Sequence, residues 1–286
     1  MASRPSFNPI RRVQGELVGR VRAVFNDRAK GEQPVVRSDT ALFARNSVIW
    51  RVHGDVTSMM VGGMAALLLQ MLHPAALTAV LDHSNFRRDM LGRLRRTAKF
   101  IAVTTYGDRI QAEAAIDRVR TIHAQVTGTL ADGTPYRADD PRLLAWVHTA
   151  EALCFLDAWI AYGEPGMSVR DQNRYFAEAA VIAQRLGADP VPLTRQAALA
   201  FIAEMRPALR ATPACLEVAQ LIVAPKAETF GALAVQRLLA QAAIDLLPGW
   251  ARDLLKLRRP GPEALLTTSA TRGMAATLRW AFSGQV

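Results

Sequence analysis

The chain has 286 residues, half of them hydrophobic, and 35 Lys and Arg stand against 25 Asp and Glu for a net charge of +10. That length buries a substantial core in one large domain or two small ones, and the composition excludes a disordered or low-complexity chain. Two cysteines, Cys154 and Cys215, exclude a disulfide framework, an iron–sulfur cluster and a Cys-rich zinc site, and fit a reducing, cytoplasmic compartment.

Residues 1–40 read as a basic arm, with Arg11, Arg12, Arg20, Arg22 and Arg37, and residues 41–286 as the helical domain. Met1 to Arg12 holds no apolar signal segment. Residues 14–26 predict a short amphipathic helix on Leu17 and Val21, packed on its own domain or resting peripherally on an anionic membrane. From Thr57 to Leu72 the chain is almost wholly apolar. It falls short of the roughly 20 residues a bilayer span needs, contains Gln70 and stops at His73-Pro74, so it predicts a central core helix. Gly62-Gly63 would let a neighbouring backbone or a flat ligand come close.

A helix follows from Pro74 to about residue 82. A basic helix is expected over 86–103 and another over 108–127, with Gly128 as its C-terminal stop. Asp140-Pro141 starts a helix running to Tyr162, in which His148 and Glu151 stand one turn apart and read as a polar pair within a packed helix. Further helices are expected at 169–186, 194–209, 213–223, 228–246, 249–257 and 262–282, broken mostly by proline and glycine. No convincing strand is visible, and the fold class is all-α.

Arg93, Arg96, Thr97 and Phe100 recur at helical spacing and share one face; Ile116, Val119, His123 and Val126 share a face on the next helix. If the faces meet, they make an apolar pocket with one nitrogen ligand and a cationic, hydrogen-bonding rim, surroundings that suit a haem. A hydrogen-bonded core histidine and a solvated basic face suit the same spacing, and periodicity does not choose between them. The rival, a carboxylate-bridged di-iron bundle, needs Glu-x-x-His pairs. None occurs; His148-Thr-Ala-Glu151 has the reverse order. No zinc-protease, Walker, dinucleotide or nucleophile-elbow motif is present. The positive charge asks for an acidic partner, and nucleic acid is the weakest of these, since zinc-finger spacing and RNP-type aromatic patterns are missing.

The series Gly54-Asp55, Gly62-Gly63-Met64-Ala65-Ala66-Leu67-Leu68-Leu69-Gln70, His73-Pro74, Asp82-His83-Ser84-Asn85-Phe86, Arg93-x-x-x-Thr97, Tyr106-Gly107 and His123 resembles the rubber oxygenase (latex-clearing protein) and MpaB oxygenase family. Asp140-Pro141, Trp146-Val147-His148, Tyr175, Leu186-Gly187, Val191-Pro192 and Leu247-Pro248-x-Trp250 look like the same family's later blocks, so the resemblance spans roughly residues 40–260. It implies an all-helical fold around one haem b, used to activate dioxygen against unsaturated, usually isoprenoid, chains. It implies His123 as proximal iron ligand, Arg93 and Arg96 toward propionates or bound oxygen, and Thr97 as a hydrogen-bond donor. The implied partners are a small hydrophobic substrate and dioxygen; the alternative is a non-catalytic haem or hydrophobic-ligand binder. Two departures argue against rubber cleavage itself. Rubber-cleaving members carry a lysine just before the motif threonine, where this chain has Arg96, a side chain with no lone pair for iron. They also carry an acidic residue upstream, and residues 74–80 have none.

Overall fold

A computed structural model, describing residues 9–26, 31–224, 230–257, 261 and 263–283, is helical apart from one small hairpin and is built around the apolar run after Asp55. In chain order the helices are α1 (Pro9–Phe25), α2 (Val48–His53), α3 (Val56–Gln70), α4 (Pro74–His83), α5 (Met90–Tyr106), α6 (Arg109–Gln125), α7 (Pro141–Tyr162), α8 (Val169–Leu186), α9 (Arg195–Met205), α10 (Pro213–Val223), α11 (Phe230–Leu246), α12 (Gly249–Leu254) and α13 (Ala264–Ser283). The expected starts at 228 and 262 lie outside the described residues.

α3 is the central core helix. It lies along α7, with α11 and α13 on its other sides, while α8 and α9 pack on α7. The two central helices approach most closely at Gly62, where a Cβ would stand 2.8 Å from the Cys154 carbonyl oxygen. Only glycine permits that approach without moving backbone. Gln70 and the α7 backbone then close the far end: Gln70 Nε2 donates to the Val147 carbonyl at 2.9 Å, and Trp146 Nε1 donates to the Gln70 carbonyl at 3.1 Å. α7 is long and apolar enough to cross a membrane, and 67% of that stretch is buried inside the domain. α1 packs on α13 and α5, with Gln14 Nε2 donating to the Trp280 carbonyl at 3.0 Å.

Asp55 joins the start of α3 to the C-terminal helix. Its carboxylate is buried, caps α3 by accepting from the Ser58 N–H at 2.8 Å, and accepts from Arg279 Nη1 at 2.7 Å. The Arg279 side chain is 41% exposed and would rehydrate if Asp55 were removed, so the loss is that of the helix cap and of one charge-assisted hydrogen bond, about 2–3 kcal/mol together. Asp55→Ala should therefore lower the urea midpoint by that equivalent, and a stability loss under ~1 kcal/mol would show that the pair is idle.

Three expectations are corrected. The basic helix starts at Met90 rather than 86, because the Asp89 carboxylate takes the Gly92 N–H at 2.8 Å and caps it there. α6 ends at Gln125, and Gly128 is not a helix stop. It lies in strand β1 (Thr127–Thr129), paired antiparallel with β2 (Pro135–Arg137), and its missing side chain makes room for the Tyr136 ring, whose hydroxyl would be 2.6 Å from a Cβ. A small hairpin thus exists where no strand was expected. The six-residue α2 was also not foreseen.

α5 and α6 form an antiparallel hairpin that packs on α1, α2 and α8. Its turn end is pinned. Ser38 N–H donates to the Tyr106 carbonyl at 2.8 Å, Arg109 N–H to the Thr40 carbonyl at 3.0 Å, and the Tyr106 hydroxyl to the Trp50 carbonyl at 3.1 Å. Thr104, Thr105, Ala112 and Ile116 near that end are buried; Phe100, Ile101 and Val119 are half-buried, and Arg96 and Thr97 are exposed. Burial along the hairpin thus decreases away from its turn.

Candidate functional site

The antiparallel hairpin brings the start of α5 to the end of α6, and so Arg93 to His123. Both are half-buried. His123 Nδ1 is buried without a hydrogen-bond partner. Burial first, and the charge of Arg93 second, hold the His123 pKa below its ordinary value, with Asp139 acting the other way. The ring is therefore neutral at pH 7 and keeps the lone pair that a metal requires. Arg93 is itself held down by burial and by its neighbour Arg96.

Arg96 and Thr97 are not brought against His123. Arg96 is exposed and reaches Asp89 at 3.5 Å; the Thr97 hydroxyl donates to the Arg93 carbonyl at 3.2 Å, inside its own helix. They stand at the open rim above Arg93. His73, at the head of α4, is a second imidazole with a buried, unpartnered Nδ1. Its ring lies 6.5 Å from that of Trp146, and burial lowers its pKa while Asp140 opposes.

A second group of polar side chains lies deep between α2, α5, α7 and α8. His53 Nδ1 shares a hydrogen with Thr105 Oγ1 at 2.9 Å, and its Nε2 with the Tyr175 hydroxyl at 3.1 Å. Its ring meets Phe155 and Tyr175 edge-on, at 5.5 and 5.7 Å. Burial, then His148, push His53 down to about 3; burial alone pushes His148 down to about 4 and Glu151 up to about 7. Burial and then Glu151 raise Tyr175. Reading the helix periodicity identified His148 and Glu151 only as a packed pair and missed His53 altogether. Its partners are 52 and 122 residues away, so no local spacing signals them.

On α3, the half-buried residues Met59, Met60, Gly63, Met64, Leu67 and Gln70 form one stripe at helical spacing, in a helix otherwise enclosed. α5 packs chiefly on α6, α1 and α2 rather than on α3, and Met59, Met60, Met64 and Leu67 pack against the core while keeping part of their surface accessible. Two shallow surface cavities, of about 340 and 450 Å³, are lined by neither His123, Arg93 nor the interior polar group. Among the described residues no three His, Cys, Asp or Glu side chains converge on a metal position. A porphyrin-held iron needs one protein ligand, not a cluster.

No curated protein and no solved structure matches the chain. Residues 50–280 match the family described as "ER-bound oxygenase mpaB/B′/rubber oxygenase, catalytic domain". That span begins in α2, takes in the His53 group, the central α3–α7 pair and the Arg93–His123 hairpin, and ends in α13. By this match over most of its length, the chain belongs to the mpaB/rubber oxygenase family.

Proposed function

We propose that the protein is a haem b-dependent oxygenase acting with dioxygen on a small, hydrophobic, unsaturated, isoprenoid-like substrate. The observation that carries this reading is the His123 imidazole, which is neutral, unpartnered at its buried Nδ1 and flanked by Arg93 in the open end of the α5–α6 hairpin. The donor set suits a haem: one neutral imidazole for the iron, guanidiniums for propionates, and thioether and aliphatic side chains for the porphyrin faces. When bound, haem supplies the activation of dioxygen, chemistry that no side chain offers.

The chain's own residues then have distinct tasks. His123 would hold the iron. Arg93, half-buried, would meet a propionate, and Arg96 at the exposed rim would meet the other or orient dioxygen. Thr97, whose hydroxyl now donates to the Arg93 carbonyl, would supply a hydrogen bond. The Met59, Met60, Met64 and Leu67 stripe excludes water from the hydrocarbon part of the substrate. Two free, buried cysteines support a cytoplasmic setting, and the basic surface suits peripheral contact with anionic membrane.

The test combines binding with turnover. The purified chain should carry or take up haem b, show a Soret band, and consume oxygen with an unsaturated isoprenoid but not with its saturated counterpart. A well-folded protein that stays colourless after haem addition would remove the reading. Haem uptake without oxygen consumption on any unsaturated probe would leave a binder in place of an enzyme.

A further inference from the structure

His148 and Glu151 occupy one face of α7, one turn apart. Both lie deep within the helical domain, yet both keep surface that a water molecule can touch, so they face a recess and not solidly packed core. Neither makes a hydrogen bond or ion pair with another described residue, and neither is sealed by packed atoms. Their neighbours differ: both His53 nitrogens are engaged, and Asp157 accepts from Arg195 at 2.7 Å. An interior imidazole and carboxyl with no protein partner are costly unless something else completes their hydrogen bonds.

The surroundings limit what that can be. Burial displaces both groups from their ordinary pKa values, and neither is held by a hydrogen bond or ion pair to an arginine or lysine among the described residues. An anionic ligand would meet the Glu151 carboxyl. His148 is neutral at pH 7 and offers one donor and one acceptor. Nearby, Phe155 packs against Gly62 and Gly63, which lead into the Met64 and Leu67 stripe. The recess thus has a polar end and an apolar flank.

We propose that His148 and Glu151 form a polar anchor that grips a neutral oxygen function, a hydroxyl or carbonyl, at one end of an otherwise hydrocarbon substrate. A ligand hydroxyl donates to one of the pair and accepts from the other, completing both at once. The isoprenoid-like character of the chain rests on the oxygenase reading above; the anchor does not. The natural substrate is then an oxygenated amphiphile rather than a pure hydrocarbon.

The experiment titrates the full-length protein by calorimetry with a C15 isoprenoid alcohol, the hydrocarbon of the same skeleton, and the corresponding acid and amine. Haem content is recorded separately from the Soret band. The wild type should bind the alcohol about tenfold more tightly than the hydrocarbon, and the acid no better than the hydrocarbon. His148→Phe and Glu151→Leu, with wild-type circular dichroism and Soret band, should bring the alcohol preference to within about twofold. Equal wild-type binding of alcohol and hydrocarbon overturns the anchor even if neither variant folds. Preference for the acid or amine over the alcohol overturns it, as does an alcohol preference unchanged in both folded variants. Alcohol preference in a protein that takes up no haem keeps the anchor and removes the haem reading; haem uptake without alcohol preference does the reverse.

Discussion

His123→Ala yields a folded protein without a Soret band. The substitution deletes the one imidazole that stands unpartnered beside Arg93 at the open end of the hairpin. Losing even an outer-sphere partner of a ligating histidine costs about 10–100-fold in metal affinity, so losing the ligand itself should cost at least about 100-fold. The fold should hold, because His123 is half-buried and makes no hydrogen bond through Nδ1. Far-ultraviolet circular dichroism near wild type, with the Soret band partly restored by added imidazole, completes the expected pattern. His73→Ala and His148→Ala should both keep haem. His73 is the sharper control, since it too has an orphaned Nδ1. Haem lost from His73→Ala and kept by His123→Ala would move the iron ligand to the head of α4.

The second large effect is on stability against pH. His53 and His148 are held down to about 3 and about 4 by burial, so below pH ~6.5 the unfolded chain binds two protons that the folded chain refuses. Their stabilising effect is present above the unfolded value and is lost as the pH falls toward the folded values. Glu151, raised to about 7 by burial, works in the opposite sense. Its contribution is fully present below the unfolded carboxyl value and is lost as the pH rises through about 7. Between pH ~6.5 and ~4.5 these two histidines outweigh the one carboxyl by a single proton, and His73 and His123, also lowered by burial, act in the same sense. Stability should therefore fall by at least roughly 1.4 kcal/mol per pH unit there, and more steeply below. Urea melts at pH 5, 6.5 and 8 should show greatest stability near 6.5. His148→Gln should lessen the acid-side loss by roughly 1.4 kcal/mol per pH unit between 6.5 and 4.5, and Glu151→Gln should remove the decline between 6.5 and 7.5. An acid limb unchanged in His148→Gln would mean that this ring is hydrated and titrates normally in the folded protein.

How much of this was legible depends on whether the signal is local. α7 and α8 begin and end where the chain marks them. Asp140 accepts from the Leu143 N–H at 2.8 Å ahead of Pro141, and Gly187 closes α8 with φ at 95°. The Arg93–His123 encounter was also legible, because a short turn between two helices of equal length returns the end of one to the start of the other. Periodicity gives the direction of a side chain but not its depth, which is why Arg96 and Thr97 shared a predicted face with Arg93 and yet stand exposed. α2 spans under two turns and leaves no period to read. The β1–β2 hairpin depends on Tyr136 finding the bare backbone of Gly128, a match between two residues that neither announces alone.

The hairpin of α5 and α6 is pinned at its turn, where Thr104 and Thr105 are buried, and its side chains are more exposed toward its tips. The histidine proposed to hold iron therefore sits at the less enclosed end. A flat guest entering between the tips would furnish the contacts that this end lacks, so that capture of the guest and the last step of folding become a single event. Occupancy then governs how stiff the tips are, while the pinned turn keeps the register for the next guest.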